Sequence, residues 1–271
     1  MNSFFGGNPT KMISKRPVVL FIVLILILLS FFDFLQIIFI PQLRQLEFNS
    51  HIESCLDLVF VPEDYNFEEM SKYRKTVDTY YNSLVSIEPF TQFKDCMNVW
   101  RIDAIVDFES TRDPDMIRHL TVNFKKVRRF VKNIIDLDLN HIPPDDQIIV
   151  IVNDSKYGGS GDVNVIVTYD GELGNRVVIH EFGHSFGGLG DEYVVHDEDY
   201  PSEAHIPYPN ISWDGSEWYD IPDTDIYLGA WYRNLYRPTE ENCVMRNLDR
   251  GFCPVCKEVI ISLLEKYDRE E

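Results

Sequence analysis

The chain has 271 residues, 45% of them hydrophobic and 13% aromatic, which is enough for a large packed core and excludes a wholly disordered protein. Its 44 acids outnumber its 25 bases, for a net charge of −19, and the first 32 residues contain no acid at all, so the remainder is more acidic still. Such a surface repels polyphosphate, and it excludes DNA or RNA as a partner.

Residues 1–16 read as a disordered cytoplasmic tail. Pro17 to Ile40 is a nearly continuous apolar run, interrupted by Asp33 and long enough to span a bilayer. No small-residue cleavage site follows it, so it reads as an uncleaved anchor over 17–40 rather than a removed leader. Lys11, Lys15 and Arg16 precede the run and keep the amino end in the cytoplasm. The expected product is a single-pass protein of the cell membrane whose bulk is extracytoplasmic. Residues 41–53 read as a stalk, and 54–271 as one folded domain.

Within that domain Leu56 to Val61 is a short apolar run with the character of a buried strand. Asn66 to Ser86 has helical spacing, with Asn66 as cap and Glu68 and Glu69 in the first turn. Met97 to Phe108 alternates and is expected as a strand, Asp115 to Leu137 as a basic-faced helix, and Gln147 to Val152 as a buried strand. Tyr157 to Gly161 (YGGSG) is glycine-rich but lacks the Lys-Ser/Thr of a nucleotide loop. Asp162 to Tyr169 is a further strand, followed by a helix from about Gly174. This alternation predicts an α/β fold with a mixed, mostly parallel sheet. Residues 194–242 are rich in Pro, Tyr, Trp and acids with little periodicity, the character of a segment that shapes a cleft. A last helix is expected over Pro254 to Asp268.

The helix from Gly174 carries His180-Glu181-Phe182-Gly183-His184. Residues i and i+4 share one helical face, so both imidazoles reach one cation. Two neutral imidazoles suit Zn2+, and the adjacent carboxylate, Glu181, is the candidate general base. The pattern predicts a zinc hydrolase acting on a protein or peptide substrate; the bland reading is an amphipathic helix whose histidines are merely polar. A catalytic zinc needs a third protein ligand and an open position. Gly187-Gly188 ends the helix, and the turn behind it brings back Asp191 or Glu192.

Five cysteines, Cys55, Cys96, Cys243, Cys253 and Cys256, are available for disulfides in an extracytoplasmic domain. The expected pairs are Cys243 with Cys253 or Cys256, and Cys55 with Cys96. Asn153-Asp154-Ser155 and Asn210-Ile211-Ser212 match the glycosylation tripeptide.

HEFGHSFGGLGDEY (His180 to Tyr193), YGGSG, NCVMR (Asn242 to Arg246) and FCPVC (Phe252 to Cys256) together resemble the immunoglobulin A peptidase family of zinc metallopeptidases, over nearly all of the domain. The resemblance implies a metzincin-like fold in which Gly187 is the family glycine and Met245 the methionine beneath the zinc. It also implies that substrate lies against an edge strand above the helix, for which Asp162 to Tyr169 is the candidate. The usual third-ligand position falls on Gly190, which has no ligating side chain, so the ligand shifts to Asp191 in preference to Glu192. Asn247 stands where some metzincins have an oxyanion-stabilising tyrosine; Tyr193 is a candidate substitute. The expected metal set is therefore His180, His184 and Asp191. Two other readings compete: a catalytically inactive surface binding module retaining the fold, and a zinc hydrolase whose third ligand is a distant glutamate.

Overall fold

A computed structural model describes residues 25–26, 40–49, 54–113, 118–138, 147–202 and 204–267. The chain enters the sheet at Gln42–Glu47 (β1), part of the segment expected as stalk. β1 pairs antiparallel with Met97–Asp103 (β3), with a register shift between Gln45 and Glu47. Leu43 and Leu46 pack against the cores of opposite sheet faces, and it is this two-sided burial that draws the segment into the fold.

Leu56–Glu63 (β2) lies between β3 and Gln147–Val152 (β6), parallel to both. All eight β2 residues are buried, as a central parallel strand requires. Two-residue β4 (Thr111–Arg112) and β5 (Leu120–Thr121) form a small antiparallel pair. Gly159–Asp162 (β7) and Val165–Tyr169 (β8) complete the main sheet, whose order is β1-β3-β2-β6-β8-β7. The four inner strands are parallel and the two outer ones antiparallel, which is the mixed, mostly parallel α/β sheet expected.

The period-two alternation of the strands sorts the core into two layers. Leu58, Phe60, Ile149, Ile151 and Ile166 face one side with residues of Met70–Val85 (α1), Gly174–Ser185 (α3) and Pro254–Leu264 (α4). Val59, Val61, Ile148, Val150 and Val167 face the other with residues of Phe124–Asp138 (α2). Pro41–Glu271 is one compact unit.

Three departures from the sequence expectation have a visible cause. The strand from Met97 stops at Asp103 because the following loop is held by Glu63, whose carboxylate accepts from the Phe108 and Ser110 amides. α2 begins only at Phe124: the Asn123 side chain accepts from the Lys126 amide, and the residues just before it form β5. The segment expected to be irregular contains Val194–His196 (β9) paired in parallel with Tyr227–Arg237 (β10). Among the described residues no helix is long and apolar enough to cross a membrane. The expected tail at 1–16 lies outside the described residues, as does the anchor at 17–40 apart from residues 25, 26 and 40.

The expected cap at Asn66 forms a full capping box. Its side chain accepts from the Glu68 and Glu69 amides, while the Glu69 carboxylate accepts from the Asn66 amide. Asn66→Ala is expected to cost about 1 kcal/mol of stability, read as a lower urea midpoint at unchanged m-value. An unchanged midpoint would show that the box contributes nothing.

Candidate metal centre

Helix α3 can approach its neighbours closely because of its glycines. At Gly174 a Cβ would collide with the Tyr80 hydroxyl and the Tyr169 carbonyl, so the helix start is pressed onto α1 and β8. At Gly183, between the two histidines, a Cβ would run into the Met245 sulfur. Glycine inside a helix costs roughly 1 kcal/mol relative to alanine, so its presence in HEFGH was itself a signal of close packing. The Arg176 guanidinium donates to the Leu248 and Arg250 carbonyls and ties the helix to the turn that follows Met245.

Gly188 ends the helical path in the left-handed conformation, with φ +59°. The turn it makes also sets the histidines. His184 Nδ1 lies 2.7 Å from the Leu189 carbonyl, and His180 Nδ1 lies 3.0 Å from the Val244 carbonyl, next to Met245. Carbonyls only accept, so each Nδ1 carries a proton, and each Nε2 is the ring atom left to take up a second proton or a metal ion. Those two Nε2 atoms are 3.1 Å apart, and each is 3.2 Å from Asp191 Oδ1.

Glu192 takes no part in this convergence. Its side chain turns the opposite way, where Oε1 accepts from Asn210 Nδ2 and faces the Cys253 and Cys256 sulfurs. Asn210 also bonds both polar groups of Gly190, whose missing side chain would otherwise meet Ile211 and Tyr208. No ligand side chain fits at Gly190, which explains the shift to the next residue. Asn210 is fully buried and so cannot carry a glycan in the folded state.

Three acceptors meeting this closely repel one another unless a positive charge sits among them. Asp191 Oδ1 is buried and has no hydrogen-bond donor among the described residues. Burial alone would lower the His184 pKa, but the Asp191 carboxylate facing it at 3.2 Å outweighs burial and lifts it to about 9. Burial would raise Asp191, and its contacts with His180 and His184 reverse that and hold it well below the usual carboxylate range. A proton fills the gap in the metal-free protein; two imidazoles and a carboxylate are also a donor set that zinc accepts. The residues present therefore fit the ion.

Glu181 is buried beside the convergence, and burial raises its pKa against the opposing pull of His180 and His184. Its two oxygens lie against Gly159 and Gly161 of β7, where any Cβ would press on the carboxylate. This is the place of YGGSG: Gly161 leaves room for Glu181, and Gly159 leaves room for Val177 and the Val167 carbonyl as well. It also corrects the expected edge. β8, the core of Asp162 to Tyr169, is enclosed between β6 and β7, and β7 is the outermost strand of the sheet.

A cleft of about 640 Å³ runs past these groups, lined also by Arg118, His119, Tyr157 and Tyr193. His119, which bridges to Gly159 from beside β5, had no motif to mark it in the sequence. The Tyr193 ring stacks near His180, and burial with the neighbouring Asp191 charge raises its pKa, so the phenol keeps its proton. Asn247 is occupied in a turn, accepting from the Asp249 amide. Met245 is fully buried under Gly183, and its carbonyl accepts from the Glu192 amide.

The five cysteines form no disulfide, so neither expected pair is present. Cys243 and Cys256 come closest to that expectation, with sulfurs 3.7 Å apart. That is well beyond the roughly 2.05 Å of a bonded pair.

Comparison with curated proteins finds no match. Among solved structures the chain is similar to archaemetzincin from Methanopyrus kandleri, at 16% identity and a TM-score of 0.36, over 78% of this chain and 97% of that one. The model of the family described as IgA Peptidase M64 matches residues 47–217, more than half of the chain, and takes in β7, His180, Glu181, His184 and Asp191. The chain belongs to this IgA peptidase M64 family, and it is a zinc metallopeptidase.

Proposed function

We propose that the protein is a membrane-anchored endopeptidase in which His180, His184 and Asp191 hold one catalytic zinc and Glu181 is the general base. The observation that carries this reading is the convergence of two imidazole Nε2 atoms and a buried carboxylate oxygen at 3.1–3.2 Å beside a second buried carboxylate. When bound, zinc supplies Lewis acidity, polarising the scissile carbonyl and bringing the pKa of water to roughly 7.

The side chains provide the rest. The substrate backbone lies as an added strand along β7 beyond Gly159, whose amide already donates to the Arg118 carbonyl, beside the cleft that holds Glu181. Glu181 takes the proton of the attacking water and delivers it to the leaving amine. Its burial favours the protonated form that this second transfer needs. The Tyr193 phenol, kept protonated, donates to the carbonyl oxygen as negative charge develops there. The Val244 and Leu189 carbonyls hold the two imidazoles in the tautomer that presents Nε2.

The apolar run at 17–40 is the anchor in this reading, with the catalytic domain outside the cell membrane. Expression without residues 1–40 is expected to shift the protein from the membrane pellet to the soluble fraction; equal partition of both forms would remove the anchor.

Glu181→Gln should leave zinc bound and lower kcat by about 10² to 10⁴-fold on a casein or peptide substrate. Near-native turnover by that variant would remove the general base from the mechanism. Asp191→Ala should lower zinc affinity by at least about tenfold, measured by competition with a chromophoric chelator. Unchanged affinity would point to a ligand elsewhere in the chain.

A further inference from the structure

Beneath the catalytic residues Glu192, Cys243, Cys253 and Cys256 bring four ligand atoms within 4.8 Å of one another. All four residues are buried, and Glu192 and Cys243 are wholly without solvent exposure. We propose that these side chains bind a second, structural zinc ion.

Three of the six separations match those of a tetrahedral site. An ion with Zn–S bonds of about 2.3 Å sets two thiolate sulfurs roughly 3.8 Å apart. The Cys243 and Cys256 sulfurs are 3.7 Å apart. With a Zn–O bond of about 2.0 Å, a sulfur and a carboxylate oxygen should stand roughly 3.5 Å apart. Glu192 Oε1 stands 3.4 Å from the Cys256 sulfur and 3.7 Å from that of Cys253. The Cys253 amide also points at the Cys243 sulfur at 3.5 Å, an amide-to-sulfur contact that suits a thiolate better than a thiol. A sequence spacing of Cys-x-x-Cys, as in Cys253 to Cys256, is that of one half of many zinc sites.

An independent observation comes from Glu192 itself. Its second oxygen, Oε2, is buried and has no hydrogen-bond partner among the described residues. A carboxylate placed among three sulfurs and left half-satisfied is costly in a protein interior, and a cation removes that cost. The Arg246 guanidinium, paired with Glu241, also donates to the Glu192 backbone carbonyl at 3.1 Å and fixes the backbone that carries this carboxylate. On binding, each coordinating thiol releases its proton to solvent, so no oxidant or reductant is required.

The position gives this ion a task. Glu192 follows Asp191 in sequence, and Cys243 precedes Val244, whose carbonyl orients His180. Cys253 and Cys256 belong to the cap and first turn of α4. One ion would therefore fasten the Asp191 turn, the Met245 turn and the last helix together, directly behind the catalytic residues. The site itself stands apart from the proposed catalytic reading, because it shares no ligand with it.

Native mass spectrometry of the full chain, purified without chelator, tests the proposal. Two zinc ions per chain are expected, and His180→Ala with His184→Ala should retain one. Cobalt loaded into that double variant should give a thiolate-to-cobalt charge-transfer band in the near ultraviolet, and Cys253→Ser with Cys256→Ser added should abolish it. A wild-type chain carrying a single zinc, lost in the histidine variant, would overturn the second site and leave the first intact. Non-reducing peptide mapping that found Cys243 joined to Cys253 or Cys256 would overturn it equally, and that measurement requires no variant to fold.

Discussion

The active region is organised around a mutual repulsion. Two imidazole Nε2 atoms and one carboxylate oxygen are held 3.1–3.2 Å apart, with each ring's Nδ1 already committed to the Leu189 or Val244 carbonyl. Such an arrangement is unstable without a positive charge at its centre. Everything around it prevents relaxation: Gly183 admits Met245 under the helix, Arg176 clamps the following turn, and Asn210 fixes the Gly190 peptide from both sides. The three side chains are already gathered, so an ion would not have to assemble them.

The aromatic and acidic segment after the histidine helix supports this frame. It contributes β9 and β10, a small cluster of Ile211, Ala230 and Leu235 with surrounding Tyr and Trp rings, and the buried Asn210. Through Asn210 it grips the Asp191 turn from one side, while the NCVMR turn grips it from the other through the Met245 carbonyl and Arg246. Asp191 is thus positioned by two distant stretches of sequence that meet only in the fold.

Much of this could be read from the residues, and the parts that could not share a cause. The helix, its two histidines and Glu181 follow from a spacing of four; the glycine turn brings back Asp191 or Glu192, and only the family resemblance favoured Asp191. The parallel sheet is legible because QIIVIV and LDLVFV are too apolar for anything but buried strands. β1 escaped because its apolar positions are only two leucines, so its place depends on pairing with β3, from Glu47 with Val99 to Gln42 with Asp103. The edge strand was misplaced by one hairpin because Gly159–Asp162 has almost no β propensity and is a strand only by pairing with β8. The cysteines suggested disulfides because composition says nothing about a carboxylate arriving from position 192. Long-range partners, rather than local preferences, decided each of these cases.

The most direct measurement is an anomalous-difference map recorded at the zinc edge from crystals of the metal-loaded protein. The account requires a peak bounded by His180 Nε2, His184 Nε2 and Asp191 Oδ1, with the Glu181 carboxylate beside it and in contact with β7. A zinc peak bound by another carboxylate, or an absence of density between two imidazoles turned apart, would contradict it.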